Sequence, residues 1–164
     1  MERDAAISPC KLYRWWLWRM WNIKLPLIIW IMMNPSTADH LKDDPTIRKI
    51  VRYSTRWGYG AALILNAYAY RTSKQHNLPD DFMIALGYSN RRWLSFVMSY
   101  AKRRNLKVIC AWGAKHERAG SFVRGLSREL GVQLWCLELA ASGEPKHPLW
   151  LKETLNPIKL KVRG

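Results

Sequence analysis

The stretch LPLIIWIMMNPSTADHLKDD, residues Leu25–Asp44, decides the fold prediction. It begins with nine apolar residues, 25–33, and changes abruptly to a polar turn at Asn34. A short apolar run that ends in a polar turn is typical of a fully buried strand in a parallel sheet. In open α/β sheets, ligands bind just beyond the carboxyl ends of such strands. We therefore expect residues 34–44 to form the floor of an active or binding site.

Three more apolar runs follow, and segments with helical spacing separate them. The predicted strands after the first are Ala61–Asn66, Lys107–Trp112 and Val132–Leu139. The intervening helices are predicted at 45–57, where Asp44 and Pro45 mark the start, at 82–105 with an interruption at Gly87, and at 114–131. This alternation predicts a three-layer α/β/α sandwich around a central four-stranded, mostly parallel sheet. We expect a single domain over residues 1–164, with loose termini at 1–10 and 156–164.

The segment Lys11–Asn22 has no clear periodicity, because basic and aromatic residues alternate in KLYRWWLWRMWN. It fits a strand with aromatic residues on both faces, or a short helix. Its function is equally open: a basic and aromatic surface for nucleic acid, or an element packed over the sheet. Arg14 and Arg19 are assigned to neither role.

The charge favours a polyanionic partner. The chain has 27 Lys and Arg against 12 Asp and Glu, which gives a net charge of +15. Cations that neutralise phosphates release counterions, so nucleic acid is the expected partner, and double-stranded DNA above all. The alternative is a basic protein without such a partner.

The cysteines and the hydropathy argue against metal sites, disulfides and membrane spans. Cys10, Cys110 and Cys136 are odd in number, and their spacing does not fit a zinc site. The nine-residue apolar run is about half the ~20 residues that a membrane-spanning helix needs. We expect a cytoplasmic protein, favoured as a monomer, without a metal, a cofactor or a membrane partner.

The topology predicts where polar side chains meet. Parallel strands point their carboxyl ends toward one edge of the sheet. Asn34, Asn66, Gly113 and the loop that contains His147 should therefore lie along the same rim.

Several motifs give the chain a family resemblance. MMNPSTAD, DDPTIRK, RWGYG, ILNAYAYR, AWG and GEPKHPLWL resemble the hallmarks of an uncharacterised bacterial and phage family, domain of unknown function 1643, from Arg14 to Leu151. Four blocks are also distantly similar to the uracil-DNA glycosylase superfamily: Met33–Asp39, Leu63–Arg71, Val108–Gly120 and Lys146–Trp150. This second resemblance implies a uracil-DNA glycosylase-like fold that extrudes and binds a base.

The resemblance, together with side-chain chemistry, assigns candidate catalytic and base-binding residues. Asn34 would orient a water, Asp39 rather than Asp43 would act as base, and His147 would stabilise the departing base. Asn66 would read the edge of the extruded base, and Tyr68 or Tyr70 would stack on it. The alternatives are an Asn that caps its own turn, an Asn that pairs with strand-end backbone, and core tyrosines. For His147 the alternative is a loop histidine that bonds to backbone, or that contacts a phosphate beside Lys146.

Nucleic-acid contacts are predicted around the same rim. Leu149 and Trp150 would fill the gap that the extruded nucleotide leaves, or else cover the core as an ordinary apolar turn. The remaining candidates for contact with the nucleic acid are Ser36, Thr37, Arg71, His116, Arg118 and Lys146.

Three functional hypotheses follow. The first is a DNA-binding, base-flipping protein similar to N-glycosylases, possessing the hydrolase activity of a monofunctional DNA N-glycosylase on a modified or non-canonical base. The second is a non-catalytic nucleic-acid-binding module on the same fold. The third is a phage enzyme that modifies DNA bases.

Overall fold

A seven-stranded mixed sheet runs through residues 1–162, which the computed structural model describes. The strands lie in the order β1-β2-β4-β3-β5-β6-β7. Their bounds are β1 Glu2–Ile7, β2 Arg14–Met20, β3 Leu27–Met32, β4 Ala61–Asn66, β5 Val108–Cys110, β6 Leu134–Cys136 and β7 Ile158–Lys159.

The prediction of a four-stranded, mostly parallel sheet is wrong. The pairs β3–β4, β3–β5 and β5–β6 are parallel, but β1–β2, β2–β4 and β6–β7 are antiparallel. The four predicted strands form the parallel centre of the sheet. Three strands that the apolar pattern did not predict extend it on both sides.

Helices cover both faces of this sheet. Their bounds are α1 Pro45–Arg56, α2 Phe82–Leu86, α3 Asn90–Arg104 and α4 Glu117–Leu130. Ile47, Ile50 and Tyr53 of α1 pack on one face, in a core with Trp30 and Ile64. The other three helices pack on the opposite face, so β3 and β4 are buried on both sides and consist almost entirely of apolar residues.

Local signals fix the start of α1 and separate α2 from α3. The Asp44 carboxylate accepts the backbone N–H of Ile47 at 2.9 Å, and Pro45 occupies the first turn. Gly87, with φ +80°, ends α2, and its missing Cβ makes room for the Tyr13 ring. These features confirm the predicted start of α1 and the predicted interruption at Gly87.

The N-terminal region and the C-terminal region differ from their predictions. Residues 2–7, expected to be loose, pair with β2 as an edge strand. Ile158 and Lys159, within the predicted loose tail 156–164, pair with β6; residues 163–164 lie outside the described part of the chain. The segment Lys11–Asn22 contains β2, so the strand alternative is correct. This strand lies inside the sheet, between β1 and β4. Within residues 1–162, the helices are too short or too polar to cross a membrane.

Gly60 lies where two backbone segments approach closely. A Cβ at this position would clash with the backbone oxygen of Asn22 and lie 2.8 Å from the Leu25 Cβ. We expect Gly60→Ala to lower the free energy of unfolding by about 1–3 kcal/mol, as overpacking does. Urea denaturation measures the change.

Gly125 is the matched control for this prediction. It lies inside α4, and a Cβ at this position would point into open space, so Gly125→Ala should stabilise the protein by up to about 1 kcal/mol. Equal urea midpoints for the two variants would contradict the steric argument.

Candidate functional site

A cavity of about 210 Å³ lies at the carboxyl ends of β3, β4 and β5. A cavity of about 150 Å³ can bind benzene, so this volume suits one small ring system. Its polar lining includes four predicted site residues, Asn34, Ser36, Asn66 and His147. Asn34, Asn66 and His147 therefore meet at a concave rim, as the topology predicted, whereas Gly113 is not part of the cavity lining.

Asn66 is the last residue of β4 and only 1% exposed. Its Oδ1 and Nδ2 atoms are buried and have no hydrogen-bond partner in the described chain. Its backbone is held firmly, because the buried Asn90 side chain donates to the oxygens of Asn66 at 3.0 Å and Ala67 at 3.1 Å. The alternative in which Asn66 pairs with strand-end backbone is excluded for its side chain.

Asn34 has a structural role in addition to its place on the cavity wall. Its amide nitrogen donates to the oxygens of Thr72 at 2.8 Å and Pro35 at 3.1 Å. These bonds tie the loop after β3 to the loop after β4. The Oδ1 atom takes no part in these bonds and remains an acceptor.

Asp39 does not line the cavity, which corrects its assignment as the base. Its carboxylate accepts the backbone N–H groups of Leu41 at 2.8 Å and Lys42 at 2.9 Å, and these bonds lower its pKa. Thr37 is exposed and also lies off the cavity wall. The one acidic residue among those lining the cavity is Asp44, which the sequence identified only as a helix cap.

His147 has one ring nitrogen engaged and one available. Its Nδ1 accepts the backbone N–H of Leu149 at 3.2 Å, so the neutral ring carries its proton on Nε2. Burial lowers the pKa of His147, although the Asp44 carboxylate acts in the opposite direction. The lowered pKa favours the neutral ring, which can donate one hydrogen bond.

A groove of about 710 Å³ adjoins the cavity and shares Gln75, Trp112 and His147 with it. The predicted contacts His116, Lys146, Leu149 and Trp150 lie along this groove. A hydrogen bond of 2.9 Å between the Gln75 amide nitrogen and His116 Nε2 links the two sides of the groove.

Trp150 is 86% exposed at the 3-10 turn Pro148–Trp150. This exposure excludes the view that its side chain covers the core. The turn is anchored by Lys49 of α1, whose ammonium donates to the backbone oxygens of Leu149 at 2.8 Å and of Leu151. Sequence analysis did not identify Lys49, which is 100 residues away from the turn in the chain.

The two tyrosines proposed to stack on a base do not line the cavity. Tyr68 is buried against Phe82, with ring centroids 5.9 Å apart, and belongs to the core. Tyr70 packs against Tyr13 at 5.8 Å. The core alternative is therefore correct for Tyr68, and Tyr70 pairs with Tyr13, the residue before β2.

Two predicted arginine contacts also lie away from the cavity. Arg71 donates to the backbone oxygen of Lys11 at 3.1 Å. Arg118 donates to the oxygen of Asp80 at 3.1 Å, and its guanidinium lies 4.7 Å from the Phe82 ring centroid. Arg14, which the sequence left unassigned, does line the cavity. Within residues 1–162, no cluster of three His, Cys, Asp or Glu side chains could hold a metal ion.

Comparisons with known proteins identify a family without a described activity. A family model described as "Protein of unknown function (DUF1643)" matches residues 14–149. No curated protein and no solved structure matches the chain.

Proposed function

We propose that this chain, which belongs to the DUF1643 family, binds DNA, takes an extruded nucleobase into the cavity and cleaves its N-glycosidic bond. The observation that carries the proposal is Asn66, a buried amide at a strand end with both polar atoms unpartnered. Leaving such a group unpaired costs about 1–3 kcal/mol. A base edge with an adjacent donor and acceptor would satisfy both atoms at once.

The surroundings of the cavity support a nucleic-acid ligand. The net charge is +15, and the adjoining groove is lined by Lys115 and Lys146. Lysines that neutralise DNA phosphates in the groove would release the counterions of those phosphates, which favours binding. The exposed Trp150 ring, beside the groove, would fill the space that the extruded base leaves in the stack.

The cavity residues supply the parts of a hydrolytic reaction. The bond between the sugar carbon and the base nitrogen breaks, and its electron pair leaves with the base. His147 Nε2–H donates a hydrogen bond to that base as negative charge develops. A water held by Asn34 Oδ1 bonds to the sugar carbon, and Asp44 accepts its proton. The similarity of the four strand-end blocks to uracil-DNA glycosylases supports the same reaction class.

A second candidate is a binding module without catalysis. Asp44 caps α1 and the Asn34 amide ties two loops together, so both residues have structural roles that require no reaction. On this view, Asn66 and the groove recognise a base and the bond to its sugar stays intact.

The test is a panel of duplexes, each with one modified, mismatched or ordinary base, incubated with the protein and then treated with alkali. We expect an alkali-labile site in at least one duplex. Asp44→Asn should reduce cleavage at least about 100-fold while binding is retained, because Asn still caps the helix but cannot accept the proton. The exposed Asp80→Asn variant is the matched control and should cleave normally.

The outcomes separate the two candidates. Binding to a specific base without strand breaks from any duplex would support the non-catalytic module. A protein that binds no duplex at low salt would contradict both.

A further inference from the structure

Arg14 begins β2 and is 2% exposed, yet no ion pair within residues 1–162 includes it. Its Nη1 donates to the backbone oxygen of Ala38 at 2.6 Å, and its Nε is buried without a partner. Burial lowers the pKa of its guanidinium to about 9. A buried cation with unused donors, on the wall of a cavity, is expensive unless a ligand supplies acceptors.

Arg19, on the same strand, shows how a purely structural buried arginine is satisfied in this fold. Its Nε donates to the Asp43 carboxylate at 2.7 Å. Its Nη atoms donate to the backbone oxygens of Trp18 at 2.7 Å and Asp39 at 2.5 Å. Arg14 forms no ion pair, since Asp44 attracts it only from a longer distance, and its Nε has no hydrogen-bond partner. The difference between the two arginines points to a ligand at Arg14.

Asn66 does not by itself select a base. An amide needs one donor beside one acceptor, and each of the common bases has an edge of that kind. Arg14 requires a different pattern on the base. A guanidinium offers two parallel donors and needs two adjacent acceptors. Guanine has them at O6 and N7, and this is the commonest specific contact that arginine makes with a base.

Among the common bases, only guanine can form the hydrogen bonds of Asn66 and those of Arg14 at the same time. Cytosine has adjacent acceptors at O2 and N3, but an Asn66 amide that binds N3 and N4 would compete with Arg14 for N3. In guanine, Asn66 can bind O6 and the N1–H, Arg14 can bind O6 and N7, and the carbonyl oxygen accepts both bonds.

We infer that the cavity selects a base of the guanine type, and that Arg14 determines this specificity through the O6 and N7 acceptors. The inference rests on the proposed base-binding function. It names the substrate class for that site and requires no particular reaction at the sugar.

The test measures the affinity of the full chain for duplexes with one bulged nucleotide, by fluorescence anisotropy at fixed salt. The bulged base is guanine, 7-deazaguanine, adenine, cytosine or uracil; 7-deazaguanine lacks only the N7 acceptor. We expect guanine to bind about tenfold more tightly than 7-deazaguanine and the pyrimidines.

Three variants assign the preference to Arg14. Arg14→Met should bind guanine and 7-deazaguanine equally. Arg14→Gln should change the preference to adenine, because an amide matches its N6 and N7. Arg48→Met, which removes an exposed cation from α1, should keep the guanine preference. Thermal unfolding establishes that each variant is folded, and the Gln variant tests the inference if the Met variant is not.

The inference and the proposed function fail in different ways. A pyrimidine preference that disappears in Asn66→Leu, or equal affinity for guanine and 7-deazaguanine bulges with both above plain duplex, would overturn the role of Arg14 alone. No preference for any bulge over plain duplex would overturn both.

Discussion

Arg19→Met is expected to lower the free energy of unfolding by about 3–5 kcal/mol, the range for removing one partner of a buried ion pair. Arg19 is fully buried and bonds to the Asp43 carboxylate. It also binds the backbone oxygens of Asp39 and Lys42, so one side chain holds the loop that leads into α1. Urea denaturation followed by circular dichroism measures the loss.

Arg48→Met is the control for the lost charge. Arg48 is exposed, and it makes only a solvent-exposed hydrogen bond to the Asp43 backbone oxygen, so its substitution should change the free energy of unfolding by no more than about 1 kcal/mol. If Arg19→Met were as mild as Arg48→Met, the buried pair would not be holding the loop.

Asn66→Leu is expected to stabilise the protein by about 1–3 kcal/mol and to abolish the preference for a bulged base. The wild-type amide is buried without partners, so an apolar side chain of similar length removes a desolvation cost and breaks no hydrogen bond. Stability gained at the expense of function is expected where a site keeps polar groups for a ligand. Chemical denaturation and anisotropy measure the two effects.

Asn90→Leu is the matched control, because Asn90 is equally buried and lies beside Asn66. Its Oδ1 is unpartnered like that of Asn66, but its amide nitrogen bonds to two backbone oxygens, and the loss of these bonds should destabilise the protein by about 1–3 kcal/mol. Shifts of the same sign in both variants would contradict the distinction between a ligand-binding and a structural asparagine.

The central strands were predictable because they are buried on both faces. Ala61–Asn66 was predicted with the bounds that β4 has, and the N-terminal cap of α1 followed from Asp44 and Pro45. Burial on two sides leaves an uninterrupted apolar run, which is visible without knowledge of the partners. The meeting of Asn34 and Asn66 at one cavity followed from strand direction alone.

The outer strands were not predictable by the same reasoning. β1 is an edge strand without a fully buried residue, and β7 has two exposed residues, so neither carries an apolar pattern. β2 places aromatic residues on both faces, which hides its alternation.

These outer strands also explain the errors at the site. Because β2 runs antiparallel to β4, its first residue, Arg14, lies at the carboxyl end of β4 and reaches the cavity. The Asp39 carboxylate accepts the backbone N–H of Leu41 within its own turn. The sequence permits this local bond but does not require it. The cavity therefore has a cation and a helix-capping acid where the sequence suggested a free carboxylate.

The most direct test of base binding is the side-chain amide resonance of Asn66 in ¹⁵N-labelled protein, assigned by its absence in Asn66→Leu. The side-chain amide of the exposed Asn77 is the reference. On titration with a bulged-guanine duplex, we expect the Asn66 signals to shift and saturate while those of Asn77 stay. Unshifted Asn66 signals at saturating DNA, with shifts confined to the groove, would contradict the claim that a base enters the cavity.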